Sequence, residues 1–78
     1  MLKYKLVEET PSNVVYEYFP EGDTKFGVVS FDKKSNANSI VTLAPQDRHR
    51  RYAQKLFSKI KEFANNDSFD KEGMIAWY

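Results

Sequence analysis

The stretch PQDRHRRYAQKLFSKIKEFA, residues 45–64, decides the fold because it contains the one strong helical pattern in the chain. Apolar residues recur three and four positions apart, which places them on one stripe of an α-helix. The stripe consists of Tyr52, Ala53, Leu56, Phe57, Ile60, Phe63 and Ala64. Pro45 suits a first helical turn, and Asp47 lies where the helix dipole favours an acidic side chain. The sequence therefore predicts an amphipathic helix over residues 46–64.

This helical segment is also basic. It contains six lysine and arginine residues but only two acidic ones, so the net charge of +1 for the whole chain hides a polarised molecule. Basic side chains bind phosphate groups, which predicts nucleic-acid or other anion contacts. The candidate contacts are Arg48, Arg50, Arg51, Lys55 and Lys59. On a helical wheel, however, the basic residues border the apolar stripe on both sides, where their long stems can shield it. A solvated amphipathic helix is the simpler interpretation.

The first half of the chain alternates with a period of two, which is typical of β-strands. The predicted strands cover residues 2–6, 14–19, 26–31 and 40–43, and Gly27 indicates a bulge or a close approach of another group. Turn-forming residues surround Pro11 and Pro20, and residues 32–38 are polar. Because the connections are short, we expect sequential strands to pair antiparallel.

The C-terminal segment GMIAWY, residues 73–78, is apolar. We expect it to form a fifth strand or an extended segment docked on the sheet, since a free terminus would fray. Parallel pairing with the fourth strand would make the helix a right-handed crossover. The sequence thus predicts a single α+β domain over residues 1–78. Its four- to five-stranded, mainly antiparallel sheet follows the order β-β-β-β-α-β, with one amphipathic helix packed on one face.

One helix covers only one face of a sheet, and a half-buried antiparallel sheet should then alternate apolar and polar residues. Here both faces carry large apolar side chains. The C-terminal segment with Phe69 and Trp77 would cover the second face, or strong twist would let the sheet wrap around its own core. The third alternative is an interface with a protein partner, most simply a homodimer. The candidate interface residues are Val15, Phe19, Val29, Phe31 and Trp77.

The chain shows no catalytic pattern. It has no cysteine and a single histidine, His49, which falls on the apolar stripe and is expected at the rim of the core, hydrogen-bonded to backbone. A general base needs a partner that orients it, and none is recognisable. The acidic residues Asp67, Asp70 and Glu72 lack the spacing of a calcium loop. We therefore expect no enzymatic activity, no metal and no cofactor.

The N-terminal residues alternate apolar and basic side chains, so they lack the apolar core of about 7–15 residues that a secretory signal needs. No apolar run approaches the ~18 residues of a membrane span. Absence of cysteine fits a reducing compartment. We expect a cytoplasmic protein with no membrane contact.

Three segments, VVYEYFPEG (residues 14–22), GVVSF (residues 27–31) and GMIAWY (residues 73–78), resemble a loose group of small uncharacterised bacterial proteins, some carried on mobile elements. The resemblance implies a small stand-alone domain, bacterial and cytoplasmic, and implies no activity. The functional expectation is a non-catalytic binding or interaction module that forms a homodimer or binds a protein partner. The alternative is a nucleic-acid-binding protein that uses the helix over residues 46–64.

Overall fold

The computed structural model describes residues 1–76 and contains five strands and one helix. The elements are β1 (Leu2–Glu9), β2 (Asn13–Pro20), β3 (Gly27–Asp32), β4 (Ala37–Thr42), α1 (Arg51–Asn65) and β5 (Glu72–Ile75). Neighbouring strands pair antiparallel in the order β4-β3-β2-β1-β5. The predicted α+β fold with β-β-β-β-α-β order is confirmed. The last strand does not join β4 in parallel but pairs antiparallel with β1, so α1 is not a crossover between parallel strands.

The core lies between α1 and one face of the sheet. Alternate residues of β2 point toward the helix, and Val14, Tyr16 and Tyr18 have no exposed surface. From the helix, Ala53, Leu56, Ile60 and Phe63 pack against them, as the apolar stripe predicted. The rings of Tyr4, Tyr16 and Phe63 form a cluster in which every pair of centroids is 5.7 to 6.2 Å apart. Burial of these large rings is the main source of stability in a small chain without disulfides.

Val29 and Phe31 belong to this core, which corrects their prediction as interface residues. Their exposed fractions are 0% and 1%. The cause is the register of β3, because Val29 pairs with Tyr16 and Phe31 pairs with Val14. Directly paired residues of an antiparallel sheet point to the same face. Both side chains therefore lie under the helix.

The helix begins at Arg51, five residues later than predicted. The preceding residues form turns, in which the Asp47 backbone N–H donates to the Ala44 carbonyl and that of Arg50 donates to the Asp47 carbonyl, both at 3.0 Å. Arg50 has a left-handed conformation, with φ at 60°. His49 lies in these turns and is exposed, so its predicted position at the rim of the core is wrong. The helical wheel fails for His49 because the residue precedes the helix.

Asp47 explains where the helix starts. Its side chain is only 2% exposed, and its two carboxylate oxygens accept hydrogen bonds from the backbone N–H groups of Tyr52 and Ala53, at 3.1 and 3.0 Å. The first N–H groups of a helix need such acceptors. The residue at the N-cap, Arg50, makes no side-chain capping bond. Asp47 thus caps α1 from a position outside the helix.

One alternative predicted that the C-terminal segment with Phe69 and Trp77 covers the second face of the sheet. Phe69 lies elsewhere, because its ring is 6.1 Å from that of Phe31 and 6.4 Å from that of Phe63, on the core side. Trp77 lies outside the described residues. Gly27 marks a close approach, since a Cβ atom there would lie 2.7 Å from the Ala44 nitrogen and would overlap the Tyr18 ring.

Candidate interaction face

The side chains that point away from α1 form a surface, here called the open face. Strand register assigns the residues to this surface, starting from the pairs of Lys3 with Phe19 and Lys3 with Met74. The open face consists of Lys3, Lys5, Glu8, Asn13, Val15, Glu17, Phe19, Val28, Ser30, Asp32, Ala37, Ser39, Thr42, Glu72 and Met74. Of the candidate interface residues, Val15 and Phe19 are on it.

An apolar row crosses the open face at one end. Met74 and Phe19 flank Lys3 on the two neighbouring strands, and the Phe19 ring is 5.4 Å from the Phe26 ring. Phe26 is 41% exposed and Met74 is 54% exposed. Large apolar side chains that lie next to each other and stay exposed are more informative than single ones, because contiguous apolar patches are uncommon on the surface of a monomer.

This row forms part of a depression with a volume of about 630 Å³. Its floor includes Lys3, Lys5 and Phe19, and Met74 borders it on β5. The loop between β2 and β3, with Phe26, forms another wall. The volume is within the range of small-molecule and side-chain pockets. The depression is therefore large enough to receive an aromatic or aliphatic side chain from another molecule.

A charged row lies beside the apolar row. Lys5 pairs with Glu72 on one side and with Glu17 on the other, and Lys3 adds a second positive charge. Within residues 1–76, none of these four side chains is within 4.0 Å of an oppositely charged one. The strand ladder therefore supplies two positive and two negative charges that cancel. Glu8 and Asp32 also lie on the open face, so its acidic side chains outnumber its lysines by four to two, which disfavours a polyanion as the partner.

The predicted anion contacts belong to α1 and to the turns before it, and none of them is part of the open face. Arg48, Arg50 and Arg51 are exposed at the turns that precede α1 and at its first residue, and Lys55 is exposed on the helix. Lys59 is half-buried, with its Nζ atom 5.9 Å from the centroid of the Phe63 ring. The three arginines are thus exposed close together in the chain, whereas Lys59 packs over the Phe63 ring.

The acidic residues after the helix have structural contacts. The Asp70 carboxylate accepts a hydrogen bond of 3.4 Å from the Tyr4 hydroxyl, and the Asp70 carbonyl accepts one of 2.6 Å from the Tyr16 hydroxyl. Burial, reinforced by Asp70, raises the pKa of Tyr4 above its usual value. Within residues 1–76, no three histidine, cysteine or acidic side chains are grouped closely enough to hold a metal ion.

Sequence reasoning missed Lys3, Lys5, Phe26 and Met74 as members of the candidate site. The alternation of β1 already separates Lys3 and Lys5 from the buried Leu2 and Tyr4. The alternation does not predict that β1 pairs with β5. This pairing brings Met74 beside Lys3, although the two residues are far apart in the sequence.

Comparison of the chain with protein-family models, with curated proteins and with solved structures gave no significant match. The resemblance to small bacterial proteins therefore stays a prediction. No helix among residues 1–76 is long and apolar enough to cross a membrane.

Proposed function

We propose that this protein is a non-catalytic binding module that forms a homodimer through its open face. The observation that supports this proposal is the apolar row of Phe19, Phe26 and Met74 beside a charged row without net charge. The proposal includes the bacterial, cytoplasmic setting that the sequence resemblance implies.

A second copy of the chain fits the charges of the open face. Because Lys3 and Lys5 lie beside Glu17 and Glu72, a two-fold contact is able to place lysines of one copy opposite carboxylates of the other. A two-fold contact needs a surface that complements itself. The open face meets this need because it carries charges of both signs and has an exposed ring beside a depression. The exposed side chains of Phe26 and Met74 border the depression of each copy, so a two-fold contact at this site would bury them.

The size of the open face predicts a weak dimer. Five strands about 4.8 Å apart and about 20 Å long give a projected area of roughly 500 Å². Specific interfaces usually bury about 800 Å² per partner, and smaller ones are transient. The dimer should therefore dissociate when the protein is diluted.

Size-exclusion chromatography with light scattering tests the proposal across a series of protein concentrations. We expect the mass to rise with concentration from the 9.1 kDa of one chain toward twice that value. Phe26→Asp should keep the protein monomeric, because it places a carboxylate in the apolar row. Gln54→Asp is the control, since it places the same carboxylate at an exposed position of α1, on the other face of the sheet. A mass of one chain at every concentration, or equal effects of both variants, would refute the homodimer.

A second candidate function is binding of a nucleic-acid backbone. The observation that favours it is the exposed group Arg48, Arg50 and Arg51, next to a first helical turn that contains no acidic residue. Fluorescence anisotropy with labelled single-stranded DNA and RNA at low salt tests it. Arg48→Glu with Arg51→Glu should abolish binding, and Lys25→Glu, an exposed charge reversal in another loop, should not. If no binding is detected at low salt, this function is excluded, because non-specific affinity for nucleic acid is highest at low salt.

A further inference from the structure

Strand β4 is an outer strand of the sheet, so one side of its backbone has no neighbouring strand among residues 1–76. Proteins usually protect such edges with charges, proline or bulges. Here residues 35–46 contain no charged side chain, although 29% of the chain is charged, and Val41 is 61% exposed. The register shift opposite β3 lies near Thr42, and pairing from Ala37 to Ile40 is regular. β4 is thus an uncharged edge that is open to a further strand.

A groove of about 350 Å³ lies between this edge and the helix. It is lined by Asn38 of β4 and by Gln54, Phe57, Ser58 and Lys61 of α1. Phe57 supplies a half-buried ring, and the amide and hydroxyl groups supply hydrogen-bonding partners. Lys61 is the one charged residue in this lining. A chain laid along β4 would place alternate side chains in the groove.

Asn38 has an unsatisfied polar atom, which indicates that a ligand binds in this groove. Its Oδ1 atom is buried and has no hydrogen-bond donor among residues 1–76, and its Nδ2 atom donates only a long bond of 3.5 Å to the Phe57 carbonyl. A buried acceptor without a donor costs free energy and calls for an explanation. Because Asn38 lines the groove, a rotation of its side chain would present this oxygen to a donor on a bound chain.

We propose that β4 and the adjacent groove bind an extended peptide segment with acidic side chains, which adds to the sheet as a sixth strand. The acidic character follows from charge complementarity. β4 carries no charge, and the one charged residue in the groove lining is the exposed Lys61, which attracts an acidic side chain. A second copy of the chain would bring another uncharged strand and another Lys61, so it would add no complementary charge. This inference does not depend on the homodimer.

NMR titration of ¹⁵N-labelled protein tests the proposal. The probe is a blocked peptide as long as β4 in which valine alternates with glutamate, and the matched peptide has lysine in place of each glutamate. We expect saturable shifts of the backbone amides of Ala37–Thr42 and of the Asn38 side-chain amide with the glutamate peptide, and weaker binding of the lysine peptide. No shifts in β4, equal binding of the two peptides, or shifts confined to the open face would overturn the proposal.

Two charge reversals sharpen the test. Lys61→Glu should weaken binding of the glutamate peptide by about two- to five-fold, as expected for one exposed ion pair. Lys25→Glu, which reverses an exposed charge outside the groove, should leave binding unchanged. Phe26→Asp should also bind the peptide normally, which separates this edge from the homodimer interface. Equal losses in the Lys61→Glu and Lys25→Glu variants would contradict a specific role of the groove.

Discussion

The Tyr18 hydroxyl donates a hydrogen bond of 3.1 Å to the Oδ2 atom of Asp47 and thereby joins β2 to the start of α1. The same hydroxyl accepts a bond of 3.0 Å from the backbone N–H of Ala44. Asp47 in turn accepts the first free N–H groups of the helix. This small buried network holds the start of α1 against β2, on the face of the sheet that carries the core.

Replacing the buried carboxylate should destabilise the fold strongly. Asp47→Ala removes the helix cap and leaves the Tyr18 hydroxyl without its acceptor, so we expect the free energy of unfolding to fall by about 3 kcal/mol. Urea denaturation followed by far-UV circular dichroism measures this loss. Asp23→Ala is the control, because Asp23 accepts one bond from the Lys25 N–H in an exposed turn, and it should lose under about 1 kcal/mol. Similar losses in both variants would contradict the capping role of Asp47.

The Tyr18 hydroxyl should matter more than that of Tyr52. Tyr18→Phe leaves the buried Ala44 N–H without an acceptor, which should cost about 1–3 kcal/mol in unfolding free energy. Tyr52→Phe removes a hydroxyl that donates to the exposed Glu21 carboxylate at 2.8 Å, and its cost should be smaller. Thermal unfolding of the two variants compares them directly. A Tyr18→Phe protein as stable as the wild type would show that the network contributes little.

The buried tyrosines predict unfolding at alkaline pH. Burial raises the pKa of Tyr18 from its usual 10.0 to about 12, with a smaller contribution from Asp47, and burial also raises the pKa of Tyr16. A raised pKa means that the stabilisation is fully present below pH 10 and is lost as the pH rises through the value in the folded protein. The free energy of unfolding should thus fall between about pH 10 and 12.

Tyrosinate absorbance and far-UV circular dichroism, recorded together during a base titration, measure this effect. We expect Tyr16 and Tyr18 to ionise only as the helix signal is lost. Ionisation of all tyrosines near pH 10 with an unchanged helix signal would contradict the assigned burial.

Asn38 should contribute less to stability than its position suggests. Asn38→Leu keeps a similar volume and removes a buried oxygen that has no donor, so the free energy of unfolding should stay constant or rise by up to about 1 kcal/mol. Ser39→Ala, on the neighbouring position, loses a 2.8 Å bond between the hydroxyls of Ser39 and Ser30 and should be slightly destabilising. Chemical denaturation of both variants measures these changes in the free energy of unfolding. A clear loss of stability in the Asn38→Leu variant would mean that the Asn38 side chain stabilises the folded monomer.

The sequence predicts the strands, their sequential pairing and the buried stripe of α1, because these follow from local periodicity and short connections. The start of the helix was missed because Asp47 acts from outside the helix, through a carboxylate that folds back onto Tyr52 and Ala53. Periodicity alone does not reveal such a contact.

The composition of the open face depends on register. In β3, Val29 and Phe31 form one alternate set, whereas Val28 shares the other set with Ser30 and Asp32. The pairing of Val29 with Tyr16 then assigns the first set to the helix side and leaves Val28 on the open face. Likewise, Met74 lies beside Lys3 because β5 pairs with β1, and no local sequence pattern predicts this long-range pairing.

The central claim, that the open face joins two copies, is tested most directly by NMR spectra of ¹⁵N-labelled protein recorded over a dilution series. We predict concentration-dependent shifts at Lys3, Phe19, Phe26 and Met74, and their disappearance in the Phe26→Asp variant. Spectra that do not change with concentration, or shifts confined to α1 or to β4, would contradict the claim.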